Sequence, residues 1–256
     1  MRALVTGAGT RLGAAMAREL GRLGHDVAVH YASSAGGAET VVADLRAMGR
    51  RAEALQADLL DLDAVEALVG RASRALGGPL TVLVNNASIF EHDDIATATR
   101  ESWDRHMISN LQAPFLLIQS FAGQAPRAGG THEPVAAGCV VNMIDQRVRK
   151  LTPEFMTYTL AKSALWTLTR TAAQALAPHV RVNGIGPGPT LRGERQSEAH
   201  FAAQRAATVL ERGADPEDIT SALRYLLSAR AVTGQLICVD GGQHLGWRTP
   251  DVLGVE

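Results

Sequence analysis

Aromatic residues are scarce in this chain: three Trp, three Tyr and five Phe among 256 residues. An aromatic placed in a polar loop therefore stands out. Cysteine is scarcer still. Cys139 and Cys238 both sit in apolar runs, which points to reduced core cysteines rather than to a disulfide or a metal site. An excess of charge of one sign is also missing. The formal net charge is −1, so neither nucleic acid nor an anionic membrane has an electrostatic case as partner. No uninterrupted apolar run reaches the length that spans a bilayer. The start, Met1-Arg2-Ala3-Leu4-Val5-Thr6-Gly7, lacks a charged segment followed by a long apolar one. These absences lead us to expect a cytoplasmic protein acting on a small molecule, without a metal.

What is present is a rhythm. Short apolar runs at Arg2–Thr6, Asp26–Tyr31, Ala52–Ala57, Leu80–Val84, Cys139–Met143, Val180–Asn183 and Gln235–Val239 read as buried strands. Between them, apolar residues recur at helical spacing over Leu12–Leu23, Ala38–Met48, the segment through Val65, Leu68 and Ala72, Glu101–Phe121, Phe155–Leu176 and Pro216–Leu227. Alternation of this kind predicts one α/β domain, a Rossmann fold whose doubly wound parallel seven-stranded sheet is covered by helices on both faces. Two stretches break the rhythm. Gly123–Gly138 reads as a surface loop. Gly184–Glu198, rich in Gly, Pro and Arg, follows a strand's carboxyl end, where open α/β sheets place ligands. It predicts a mobile substrate loop at about 186–212, with a plain connector as the alternative.

The first strand runs into Thr6-Gly7-Ala8-Gly9-Thr10-Arg11-Leu12-Gly13 and then a helix. Glycines let backbone approach a pyrophosphate, and the helix N-terminus favours its charge. Gly7, Thr10, Arg11, Leu12 and Gly13 are thus candidates for holding a dinucleotide. The acid that often binds the adenosine ribose lies about 20 residues further on. The second strand ends His30-Tyr31-Ala32-Ser33-Ser34, without Asp or Glu. An acid would repel a 2′-phosphate, whereas hydroxyls accept one. We expect NADPH/NADP, with NAD as the alternative, and His30, Tyr31, Ser33 and Ser34 near the cofactor. Asp58 and Leu59, just after the third strand, are placed to meet the adenine. Asp58 reads equally as a helix N-cap.

Tyr158 and Lys162 lie four residues apart on one predicted helix face. A lysine beside a phenol favours phenolate, and a tuned phenol passes a proton to or from a reacting atom. Combined with the glycine turn, Tyr-x-x-x-Lys is specific. Over nearly its whole length the chain resembles the short-chain dehydrogenase/reductases, through Thr6–Gly13, Asp58, Asn85-Asn86-Ala87, Asn110, Tyr158/Lys162, Pro187-Gly188 and Asp240-Gly241-Gly242. The resemblance implies an NAD(P)-dependent single-domain oxidoreductase, usually a homotetramer. It further implies that Lys162 holds the nicotinamide ribose, that Asn110 orders a proton relay, and that Pro187, Gly188 and Thr190 border the nicotinamide.

Three positions depart from the commonest pattern of that family. Arg11 stands where glycine is usual, Ser88 replaces the glycine after Asn-Asn-Ala, and Asp145 occupies the place of the catalytic serine. Together they resemble the pteridine reductases and dihydromonapterin reductases, as do His30-Tyr31 and Asn86-Ala87-Ser88-Ile89-Phe90. That resemblance implies a pterin stacked on Phe90, with Ser88 and Arg11 touching pterin and cofactor. Asp145, when protonated, would donate to a ring nitrogen. Blander readings stand beside these: Phe90 packed under a loop, Asp145 holding a loop or a water, Arg11 clamping phosphate alone. Arg147, Arg149 and Lys150 read as a solvated charge run, or as a lure for an anionic substrate tail. His244 and Trp247 read as packing residues. The functions in contention are an NADPH-dependent reductase of a pterin- or dihydrofolate-like C=N bond, a generic carbonyl or hydroxyl oxidoreductase, and a non-catalytic NADP-binding protein.

Overall fold

A computed structural model describes residues 1–193, 196–249 and 252. Seven parallel strands form one sheet: β1 (Arg2–Val5), β2 (Asp26–Tyr31), β3 (Ala52–Gln56), β4 (Val82–Asn85), β5 (Gly138–Met143), β6 (Val180–Pro187) and β7 (Leu236–Val239). Their order across the sheet is β3-β2-β1-β4-β5-β6-β7. The winding reverses between β1 and β4, which is where doubly wound sheets open their ligand crevice. The register there pairs Val5 with both Val29 and Val84.

Side-chain alternation along the strands decides which helix packs where. Ala3, Val5, Val27, Val29, Val82 and Val84 join one core cluster with Met16, Val41 and Leu223, from α1 (Arg11–Arg22), α2 (Ala35–Ala47) and α8 (Pro216–Ser228). Leu4, Ala28 and Leu83 point the other way. They meet Leu68, Leu117 and Ala172 from α3 (Leu62–Leu76), α5 (Ala113–Gln124) and α6 (Met156–Leu176). The near-continuous apolar strands thus reflect burial on both faces. No helix among the described residues is long and apolar enough to cross a membrane.

The structure departs from the sequence expectation in three elements. The single helix expected over Glu101–Phe121 is three pieces: α4 (Arg100–Met107), one π-turn (Ile108–Gln112) and α5. Such turns are frequent at functional sites, and Asn110 lies inside this one. β6 runs on to Pro187, beyond the expected end at Asn183, because Gly184–Pro187 pairs with Leu236–Val239. The segment expected as a substrate loop carries a helix of its own, α7 (Glu198–Ala206), while its Glu194 and Arg195 lie outside the described residues.

Candidate active site

Below the crevice, the glycine turn is built by close backbone contact. Gly7 has φ +60°, and a Cβ on Gly13 would sit 2.1 Å from the Gly7 carbonyl oxygen. Asn86 Nδ2 donates to the carbonyls of Thr6 and Gly7, at 2.9 and 3.1 Å. Thr6 Oγ1 in turn accepts from the amides of Asn86 and Ala87. α1 opens without a side-chain cap and without an acid in its first turn. Its first amides and its dipole therefore suit an anionic group. A pyrophosphate fits this cradle by close backbone approach.

His30 lies beneath the turn, 1% exposed. Its Nδ1 accepts from the Gly7 amide at 3.0 Å, and its Nε2–H donates to the Ala57 carbonyl at 3.0 Å. Burial pushes its pKa down to about 4, so the ring is neutral. The structure thus corrects one expectation: His30 braces the turn from below instead of facing a ligand. Leu59 is likewise buried in the core, which leaves only its backbone for an adenine. Asp58 is exposed and accepts from the Leu60 amide, and Asp61, not Asp58, caps α3. Ser34 starts α2 directly against Gly9, and Ser33 is exposed beside it. Tyr31 packs partly against the core.

Arg11 takes φ +51°, a left-handed conformation that glycine adopts more easily. Its guanidinium reaches across the crevice to the carbonyls of Leu191 and Arg192, at 3.1 and 2.9 Å. The glycine turn is thereby latched to the segment after β6. There Gly188 is pressed against Asp240, and Thr190 is buried with its hydroxyl on the Gly188 carbonyl.

Above the ends of β4 and β5, the expected chemistry converges. The Tyr158 hydroxyl donates to Asp145 Oδ2 at 2.9 Å, and the same carboxylate accepts from the Arg147 amide at 2.8 Å. Lys162 Nζ, 2% exposed as a residue, donates to the Met143 carbonyl at 2.7 Å. Burial raises the pKa of Asp145 and lowers that of Lys162 to about 8. Tyr158 is pushed well above its ordinary value, first by burial and then by the charge and hydrogen bond of Asp145; a Ser88 hydrogen bond acts the other way. This overturns the expectation that Lys162 makes Tyr158 a ready phenolate. In this arrangement the phenol keeps its proton and donates a hydrogen bond to Asp145.

Phe90, 45% exposed, stacks on Phe155 at 4.3 Å between ring centroids, 6° from parallel. It also meets Tyr158 edge-on at 4.7 Å. Asn110 is fully buried and grips Ile89 twice, accepting from its amide at 2.9 Å and donating to its carbonyl at 2.8 Å. Phe90 is therefore held as a shelf beside the Tyr158–Asp145 pair. Phe155 belongs to no sequence motif and is a site residue that only the structure reveals. It takes a left-handed φ of +57° and stacks its ring on Phe90, and its place three residues before Tyr158 is the one signal the sequence offers. Arg147 lies over the Phe155 ring at 5.0 Å, nearer the shelf than a solvated run would place it. Among the described residues, no group of three or more His, Cys, Asp or Glu is arranged to hold a metal.

A family model described as enoyl-(acyl carrier protein) reductase matches residues 7–244. The chain belongs to the short-chain dehydrogenase/reductase family. Among relatives within it, the short chain dehydrogenase mdpC of Emericella nidulans is 33% identical, covering 94% of each chain. The 3-oxoacyl-[acyl-carrier-protein] reductase FabG of Staphylococcus aureus is 31% identical over 95% of this chain and 98% of its own. Among solved structures, FolM alternative dihydrofolate reductase 1 from Brucella canis, complexed with NADP, is 42% identical with a TM-score of 0.91; the match covers 98% of this chain and 96% of that one. A short chain dehydrogenase from Burkholderia cenocepacia, also with NADP, is 32% identical with a TM-score of 0.85, over 94% and 97% of the two chains. In this dehydrogenase/reductase, the Tyr158, Lys162 and Asn110 expected from the resemblance stand together around β4 and β5. The family's usual serine position carries the Asp145 carboxylate.

Proposed function

We propose that this short-chain dehydrogenase/reductase is an NADPH-dependent reductase of a pterin- or dihydrofolate-like C=N bond. The observation that carries the reading is the hydrogen-bonded Tyr158–Asp145 pair beside the Phe90 shelf. A serine hydroxyl suits a ketone oxygen. A carboxyl group with a raised pKa can take a proton and donate it to a ring nitrogen. The resemblance of the whole chain to an alternative dihydrofolate reductase supports the same substrate class.

The cofactor NADP(H) supplies the hydride. Gly7, Thr10, Arg11, Leu12 and Gly13 would hold its pyrophosphate, and Ser33 and Ser34 its 2′-phosphate. Asp58 and Leu59 would meet the adenine. Asn86, Ala87 and Ser88, with Pro187, Gly188 and Thr190, border the nicotinamide. Lys162 would exchange the Met143 carbonyl for ribose hydroxyls. Phe90 orients the flat substrate by stacking. Ser88 and Arg11 offer hydrogen-bond donors at its edge. Asp145 delivers the proton and regains one from solvent, while the Tyr158 hydroxyl, donating to Asp145 Oδ2 at 2.9 Å, holds the carboxyl group in place. A cytoplasmic homotetramer belongs to the same reading, and light scattering of the purified protein checks the assembly.

The test mixes the protein and NADPH with dihydrobiopterin, dihydromonapterin or dihydrofolate. Oxidation of NADPH with at least one is expected, and no oxidation with any contradicts the reading. Asp145→Ser should abolish pterin turnover. Retained pterin turnover together with better ketone reduction would instead favour the generic carbonyl enzyme.

A further inference from the structure

A second polar network, centred on the buried Asp93, His106 and Thr157, lies behind the shelf, and the hydrogen bonds that join these three go neither to the cradle nor to the Tyr158–Asp145 pair. Ser102, His106 and Asn110 recur every four residues along α4 and the π-turn. All three hydrogen-bond to the segment 89–93. Ser102 Oγ donates to Asp93 Oδ2 at 3.1 Å. His106, 0% exposed, accepts from the Glu91 amide through Nε2 at 3.2 Å. That bond requires Nε2 to be bare, so Nδ1 carries the hydrogen and donates to Thr157 Oγ1 at 2.7 Å. The Thr157 hydroxyl in turn donates a hydrogen bond to the Asp93 carboxylate.

Asp93 also stands in for a missing helix cap. Phe155, the N-cap of α6, makes no side-chain hydrogen bond to the helix. Instead Asp93 Oδ1 accepts from the Thr157 amide at 3.1 Å, and the Asp93 carbonyl accepts from Met156 at 3.3 Å. A carboxylate there complements the positive end of the helix dipole. Burial opposes the charge on Asp93, yet the hydrogen bonds from Thr157 and Ser102 hold its pKa below the ordinary value. Burial also lowers the pKa of His106, consistent with a neutral ring.

The result is one chain of hydrogen bonds linking two segments far apart in sequence. One end fixes Glu91, the neighbour of Phe90. The other fixes Thr157, the neighbour of Tyr158. The His106 ring lies edge-on to Tyr158 at 6.0 Å. We infer that His106, Thr157 and Asp93 are positioning residues, coupling the Phe90 shelf to the start of α6 so that ring and hydroxyl keep one spacing. None of the three touches the reacting atoms.

Thr157→Val keeps the shape and the backbone amide but removes the hydroxyl that joins His106 to Asp93. The test follows amide hydrogen exchange in the full chain with NADPH present. Exchange is expected to speed up at least tenfold in two places, residues 89–91 and residues 156–158, while NADPH affinity stays within twofold. Thr157→Ser should restore both segments, and His106→Leu should loosen both. With dihydrobiopterin as acceptor, kcat should fall at least tenfold in Thr157→Val and recover in Thr157→Ser. Faster exchange confined to 156–158 would mean a local cap only, and unchanged exchange would mean no coupling; either overturns the inference. Because the exchange readout needs no acceptor, a protein inert toward dihydrobiopterin would count against the proposed substrate and not against this coupling.

Discussion

The two ends of the crevice are held by different means. At the cofactor end, backbone packs on backbone, with side chains of Asn86, Thr6 and His30 bracing it: the Gly7 carbonyl leaves no room for a side chain on Gly13, and Gly37 is pressed against Gly9 in the same way. At the substrate end, side chains hold side chains and loops: Asn110 on Ile89, His106 on Glu91 and Thr157, Tyr158 on Asp145. A backbone cradle admits few alternatives, and any ligand with a pyrophosphate can use it. A network of side chains can be exchanged residue by residue. It is therefore where one member of a family comes to differ from another in substrate.

That contrast can be broken from either end. The largest effect is expected at the substrate end. Tyr158→Phe removes the phenolic proton and should lower kcat by on the order of 100-fold to 10,000-fold, with NADPH affinity within twofold in a fluorescence titration. At the cofactor end, Gly13→Ala places a Cβ against backbone that cannot yield, and should cost about 2–3 kcal/mol in urea unfolding. It should weaken NADPH binding as well, which Tyr158→Phe does not.

His30 gives the cofactor end a pH signature. Burial holds the folded ring at about 4, below its ordinary 6.5. The unfolded chain therefore binds the proton first as pH falls. The stability this neutral ring contributes is full above pH 6.5 and is lost between pH 6.5 and about 4, a change of about 3 kcal/mol. His25, whose pKa burial also lowers to about 4, adds a slope of the same sign. His30→Leu should remove roughly half of the combined slope in unfolding curves taken across that range. The smallest effect is expected where the two ends meet. Arg11→Gly relieves a left-handed residue, a gain of about 1 kcal/mol, but gives up the latch to Leu191 and Arg192. Stability should change by less than about 1 kcal/mol, while KM for the acceptor rises severalfold.

The same contrast explains what is legible in the sequence. The glycine turn, the strand rhythm and Tyr158/Lys162 are legible because each is a local pattern with one structural consequence. Asp145 is legible because it stands in a place where the family carries serine. The bracing role of His30 is not, since its partners Gly7 and Ala57 lie 23 and 27 residues away. The π-turn is hidden by an unbroken helical pattern over Glu101–Phe121. Asp93 and Thr157 are 64 residues apart, and Phe155 sits in a conformation that no local motif announces. The direction of the Tyr158 shift runs against the Tyr-x-x-x-Lys pattern because burial, and after it the Asp145 carboxylate beside the phenol, pushes its pKa up.

The central claim is that Asp145 supplies the proton for reduction. The most direct measurement is the pH dependence of kcat/KM for dihydrobiopterin reduction by NADPH, in the native protein and in Asp145→Asn. Burial raises the Asp145 pKa, and only the protonated carboxyl donates. The rate of the native protein should therefore fall as pH rises through that raised value, and Asp145→Asn should be slow with the acid-dependent limb gone. An Asp145→Asn protein that keeps both its rate and the native pH profile would contradict the account.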